Sequence, residues 1–170
     1  MMKNKSFTLL EVIIAITILT LAVGGSFSLI QQTLVASSLV ESRLVAYYLA
    51  QEGIEIVKNI RDSNWLIQHK ADSTHSWKEG ILAGTWEADY NDTALSFNLD
   101  RSLYIDGTNG FYVYLDSPSS EDIETKFKRK IIINEIGDDV LEVTIRVQMT
   151  ERGRIQNIEV INYLHNWYGL

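Results

Sequence analysis

The chain has 170 residues, 15 Lys and Arg against 22 Asp and Glu, no Cys, and a formal charge of −7. That length suits one domain of ordinary size, and the lack of Cys excludes a disulfide scaffold, a thiolate zinc site and a cysteine nucleophile. The acidic balance argues against a protein that coats nucleic acid, and 46% hydrophobic with 22% charged residues excludes a mostly disordered chain.

The apolar residues are unevenly spread. Phe7 to Ile30 reads FTLLEVIIAITILTLAVGGSFSLI, with Glu11 as its only charge. At about 1.5 Å per residue such a helix covers the roughly 30 Å of a bilayer's hydrocarbon. A soluble core of this size cannot hide a helix that is apolar on every side, so a membrane is its natural solvent. Lys3 and Lys5 precede it, which predicts a single span with a cytoplasmic N-terminus and the remainder facing outward. A secretory signal cut after Ala22-Val23-Gly24, or a plain anchor, also fits the apolar run. Neither uses Glu11. A carboxylate at the centre of a membrane helix costs about 2.5–3.5 kcal/mol, and less near the start, where the helix dipole favours it.

Lys5-Ser6-Phe7-Thr8-Leu9-Leu10-Glu11-Val12 resembles the processing site of type IV pilins and pseudopilins, the filament subunits of pili, type II secretion systems and DNA-uptake machines. The resemblance implies a leader removed between Ser6 and Phe7 by a prepilin peptidase, which then methylates the new amino terminus on Phe7. It assigns Glu11 as the assembly charge. The usual residue before the cut is Gly; Ser6 keeps a small side chain there. Removing the leader takes Lys3 and Lys5 away, shifting the formal charge from −7 to −9. The implied partners are the prepilin peptidase/methyltransferase, other pilin or pseudopilin subunits, and the cytoplasmic membrane, with no nucleic acid. Physically, the new amine of one subunit can meet the Glu11 carboxylate of the next. Opposite charges attract strongly in low dielectric, where each alone is costly, so the pair sets axial register.

Beyond Ile30 the helical pattern continues. Val40, Leu44, Tyr47, Ala50, Ile54, Val57 and Ile60 recur at three or four as an apolar face, with Ser42, Arg43, Gln51, Glu52, Glu55 and Lys58 between them as the wet face. One helix from about Thr8 to about Arg61 is expected, on the order of 80 Å long. Gly24-Gly25 and Gly53 interrupt it at about 1 kcal/mol each, marking local melting or close helix packing. The only proline is Pro118, so the helix lacks the bend of many major pilins, which leans toward a pseudopilin or minor pilin. The expected organisation is a leader over 1–6, an assembly helix over 7–30, its amphipathic continuation over 31–61, and an extracytoplasmic head over 62–170.

In the head, Asp62-Ser63-Asn64 is read as the helix end, and residues 68–84 as a loop within a polar stretch reaching Ser102. A short strand over 111–115 follows the turn cluster Asp106-Gly107-Thr108-Asn109-Gly110. Strands over 126–136 and 140–149 flank the hairpin signal Gly137-Asp138-Asp139. Arg152-Gly153-Arg154 turns the chain into a strand over 155–164. The fold class is α+β: a long N-terminal helix on a C-terminal antiparallel meander of three or four strands.

Catalytic chemistry finds little support. His69, His75 and His165 are scattered, the first two read as solvated loop residues. Asp89-x-Asn91-x-Thr93 with Asp100 lacks the central Gly and bidentate Glu of an EF-hand, leaving at most an acidic-loop ion. Lys126, Lys128 and Lys130 share one strand face, with Phe127 and Arg129 on the other, and read as edge-strand protection. Trp65, Trp77, Trp86 and Trp167 could suggest a carbohydrate or partner contact, but are assigned to the core and seam. The reading is a structural subunit, not an enzyme, without cofactor or metal, at the cytoplasmic membrane and then in a periplasmic or cell-surface filament. The alternatives are a single-pass membrane protein with a ligand- or cell-wall-binding head, and a secreted enzyme beginning at Gly25.

Overall fold

Thr8 opens the first element. Its carbonyl accepts the amides of Glu11 and Val12 at 3.1 and 3.2 Å, and helix α1 then runs over Leu9–Lys70. The structure is a computed structural model that describes residues 8–71, 73–97 and 100–167. The chain divides into two units, Met1–Glu41 and Ser42–Leu170, and α1 contributes to both.

In the first unit every large apolar side chain from Leu9 to Leu34 is exposed. Thr17, Thr20, Ser26 and Thr33 each donate their hydroxyl to the carbonyl four residues back, at 2.8–3.0 Å. The hydroxyls are thereby satisfied inside the helix, as an apolar solvent requires.

The second unit is the head. Its share of α1 lies beside a five-stranded sheet of order β2-β1-β6-β7-β8, formed by β1 (Gly84–Glu87), β2 (Ser96–Phe97), β6 (Phe127–Glu135), β7 (Val140–Glu151) and β8 (Arg154–His165), with every pairing antiparallel. A smaller antiparallel sheet has the order β4-β3-β5, with β3 (Tyr104–Ile105), β4 (Tyr112–Val113) and β5 (Ile123–Glu124). Leu103 joins the two: its amide donates to the Phe127 carbonyl at 2.8 Å.

The alternation read in β7 sorts its residues as expected. Leu141, Val143, Ile145, Val147 and Met149 are buried, matched on β6 by Phe127, Arg129, Ile131 and Ile133. The β7–β8 turn places Arg152 and Gly153 at φ +52° and +74°, the paired left-handed conformation that suits a two-residue hairpin. The meander is thus the C-terminal half of a larger sheet. β1, β2, β3 and β5 carry two to four residues each, too few to show a period, and were not anticipated.

Two readings of α1 are corrected. The helix does not stop at Asp62-Ser63-Asn64. Asn64 is buried, donating its amide to the Trp77 and Glu79 carbonyls at 3.2 and 2.8 Å, and Trp65 is buried beside it, so tertiary contacts carry the helix on to Lys70. His69 therefore lies on a helix, not in a loop.

The buried face also differs from the expected stripe. Ser42, Ala46, Leu49, Ala50, Gly53, Ile54, Ile56, Val57 and Ile60 are buried, whereas Val40, Leu44 and Tyr47 are exposed. Small residues decide this. A Cβ on Gly53 would stand 3.0 Å from Ile145 Cγ2 and 3.3 Å from Arg129 Cδ, so the helix approaches the sheet across Ala46, Ala50 and Gly53. Ser42, assigned to the wet side, is buried and accepts from Lys126 Nζ at 2.7 Å.

Arg129 pins helix to sheet. Its side chain is fully buried, donating to the Leu49 carbonyl at 3.1 Å, to Glu52 Oε1 at 2.7 Å and to the Ala88 carbonyl at 2.7 Å. A buried charge held by this many acceptors is tolerated where an unpaired one is not.

Candidate functional site

The N-terminal segment is the first candidate. Ser6 and Phe7 lie outside the described residues. Glu11 stands in the first turn of α1, and its amide also donates to Thr8 Oγ1 at 3.3 Å. Thr8 thus caps the helix three residues before Glu11, the Thr-x-x-Glu spacing of a capped N-terminus, and the dipole there favours the carboxylate. That spacing was present in the sequence and sequence reasoning did not use it. What the geometry offers is an exposed carboxylate at the mouth of a helix with apolar side chains all round. Further along, Cβ atoms on Gly24 or Gly25 would meet nothing within 4 Å, and Ala22, Val23, Ser26, Phe27 and Ile30 line a shallow groove. Such small-residue surfaces let a second helix come close.

The head's chemistry-bearing residues were the second candidate, and the fold gives most of them structural partners. Asp89 accepts the Tyr114 amide at 2.9 Å, and its own amide donates to Asp92 Oδ2 at 2.8 Å. Burial pushes the Asp89 carboxyl up to about 6. Asp100 sits at φ +57° and holds Lys128 at 3.0 Å and Lys130 at 2.7 Å. Bonds from Lys130 and then Lys128 hold the Asp100 carboxyl below its ordinary value.

The expected edge strand is an inner strand of the sheet, although its pairing with β1 covers Ile131–Ile133 and not Lys128 or Lys130. β6 pairs with β1 on one side and β7 on the other, and the sheet's outer strands are β2 and β8. Lys126, just before β6, pairs with Glu151, which depresses that carboxyl. His75 lies 3.1 Å from Asn64 Oδ1, and His165 ends β8. Among the described residues no group of three or more His, Asp or Glu is placed to hold a metal ion. Trp65 and Trp77 are buried together, with centroids 6.5 Å apart; Trp86 packs on Phe97 and Trp167 is exposed.

Tyr114 and Glu87 were not anticipated. The Tyr114 hydroxyl donates to the Arg129 carbonyl at 2.7 Å, and burial pushes it up to about 12. Glu87, only 1% exposed, takes both Arg101 Nε and Nη2 at 2.9 and 2.8 Å. Lone charged residues in a mixed stretch give no periodic signal of burial.

The architecture is therefore a long apolar N-terminal helix, whose C-terminal portion lies on antiparallel sheet, with its acid in the first turn. Residues 1–27 match the family model described as the Prokaryotic N-terminal methylation motif. This is the signal of type IV pilins and pseudopilins, subunits that a prepilin peptidase processes and that assemble with one another at a membrane. No curated protein and no solved structure matches the chain significantly.

Proposed function

We propose that the chain is a minor pilin or pseudopilin of a type IV pilus-like or type II secretion filament, a structural subunit without catalytic role. The observation that carries this reading is the methylation motif over residues 1–27, set at the start of a helix whose apolar side chains are exposed all round. Prepilin peptidase cleaves between Ser6 and Phe7 and methylates the Phe7 amine. The subunit waits in the cytoplasmic membrane as a single span, N-terminus inside, with the unit Ser42–Leu170 as the outward head. Residues 7–30 then enter the filament, and α1 continues from there into the head, which begins at Ser42.

On assembly, the Phe7 amine of one subunit pairs with Glu11 of its neighbour. Each charge alone in an apolar bundle is costly, and together they fix the stagger between subunits. Mass spectrometry of the mature N-terminus tests the reading. Methylated Phe7 is expected in cells that contain the peptidase; an intact leader, or a chain beginning at Gly25, refutes it.

A further inference from the structure

The run Asp89-Tyr90-Asn91-Asp92-Thr93 lacks the parts of a calcium loop, and filament assembly makes no use of it. It contains the triplet Asn-x-Thr with no proline between, the acceptor pattern for N-linked glycan transfer. The acid two residues before the asparagine completes the longer form of that pattern on which bacterial transferases act. Such a triplet arises readily by chance, so its setting in the fold decides.

Residues 88–95 join β1 to β2. The Asp89 carbonyl accepts the Asp92 amide at 3.1 Å, and the Asp89 amide donates to Asp92 Oδ2 at 2.8 Å, closing a turn with Tyr90 and Asn91 at its corner. Asn91 and Thr93 are both exposed, and among the described residues neither side chain has a hydrogen-bond partner. The Asn91 carboxamide can therefore carry a substituent into solvent without loss of a bond to the fold, which a buried or bonded asparagine could not. Tyr90 and Phe111, 42% and 53% exposed with ring centroids 4.9 Å apart, form an aromatic surface beside the acceptor on which the C–H face of a first sugar can lie. Asp89 is engaged by the fold, its carboxylate accepting the Tyr114 amide at 2.9 Å. A transferase that reads this acid must meet the chain before the head closes, so transfer belongs to the newly translocated chain and the folded turn then displays the product.

We propose that Asn91 is the acceptor for N-linked glycosylation by a membrane-bound oligosaccharyltransferase, whose co-substrate is a polyprenyl-diphosphate-linked oligosaccharide. The Asn91 carboxamide nitrogen attacks the anomeric carbon of the reducing-end sugar. A C–N bond forms as the bond from that carbon to the diphosphate oxygen breaks. Polyprenyl diphosphate leaves with the electron pair, and the nitrogen gives up one proton to a base of the transferase. The inference rests on the proposed outward orientation of the head, because such transferases act on the side to which a chain is translocated.

The test expresses the full chain in bacterial cells with and without an oligosaccharyltransferase and its lipid-linked oligosaccharide of known mass. The tryptic peptide 79–101 is then read by mass spectrometry with electron-transfer fragmentation. Addition of the oligosaccharide mass at Asn91, only where the transferase is present, supports the proposal. Asn91→Gln and Thr93→Val should each abolish the added mass, whereas Thr93→Ser, which keeps the hydroxyl, should retain it. Both side chains are unbonded, so the thermal midpoint should hold in all three. Asn91→Cys introduces the chain's only thiol and reports orientation through a membrane-impermeant maleimide applied to spheroplasts. Labelling of that thiol together with an unmodified Asn91 in the parent chain overturns the glycan site and leaves the orientation standing. Modification that persists in Thr93→Val also overturns the site. Protection of the thiol until detergent opens the membrane refutes the outward head, and the glycan site with it.

Discussion

Replacing Arg129 by Ala removes a fully buried cation that joins α1 to the sheet, and the structure sets the size of the loss. Three acceptors are involved, and they are not equivalent. Glu52 has a side chain 34% exposed, so water can replace the guanidinium there, and that ion pair contributes no more than about 1 kcal/mol. The Leu49 carbonyl lies within α1 and keeps its place in the helical ladder. The Ala88 carbonyl lies in a residue only 1% exposed, and orphaning it costs about 1–3 kcal/mol. The emptied space beneath Gly53 and Ile145 adds a cavity cost of about 2 kcal/mol or more.

Arg129→Ala is therefore expected to lose about 3–5 kcal/mol, while Glu52→Gln loses about 1 kcal/mol or less. For a unit of this size the first amounts to a midpoint shift of roughly 10 °C or more. Thermal unfolding of the full chain in nanodiscs, followed by near-ultraviolet circular dichroism, reads both variants. Equal losses in the two would show that the ion pair, not the bonds to backbone carbonyls, carries the contribution. A tolerated Arg129→Ala would refute the reasoning altogether.

Other expectations follow from particular contacts. Because the Asp89 carboxyl is raised to about 6 in the fold from an ordinary 3.8, the folded head binds that proton more tightly. Its protonation therefore stabilises the head as pH falls from 7 to 5. Asp89→Asn should remove that slope from the melting midpoint, and an unchanged slope would assign it elsewhere. The depressed carboxyls of Asp100, Asp122 and Glu151 act in the opposite sense and in a lower window. Their stabilisation is present above the ordinary carboxylate range and lost as pH falls through their folded values. Gly107→Ala would put a Cβ 2.5 Å from the Glu121 carbonyl oxygen, so about 1–3 kcal/mol should be lost, read as faster amide exchange at Gly107 and Ser119; unaltered exchange would contradict the close approach. Glu11→Ala should leave membrane insertion intact while lowering filament incorporation about tenfold or more, measured by immunoblot of sheared filaments, and normal incorporation would remove the proposed role of Glu11.

The sequence by itself determined the apolar helix, the motif at its start and the C-terminal hairpins. These are local patterns: a long uncharged run, a short peptide read by an enzyme, and strict alternation beside Gly-containing turns. The tertiary structure decided which face of α1 is buried. Apolar bulk pointed to Leu44 and Tyr47, but contact with the sheet is made where side chains are small, at Ala46, Ala50 and Gly53, because only there can the backbone come close enough for Ile145 to fill the space. The same holds for the end of α1, extended to Lys70 by the bonds that Asn64 makes to residues 13 and 15 positions later. It holds too for Arg129, the middle of the three consecutive basic residues Lys128-Arg129-Lys130, which the pleat of β6 turns inward while Lys128 and Lys130 reach out to Asp100. Burial of small or charged residues depends on what long-range packing brings opposite them, and no window of neighbouring residues contains that information.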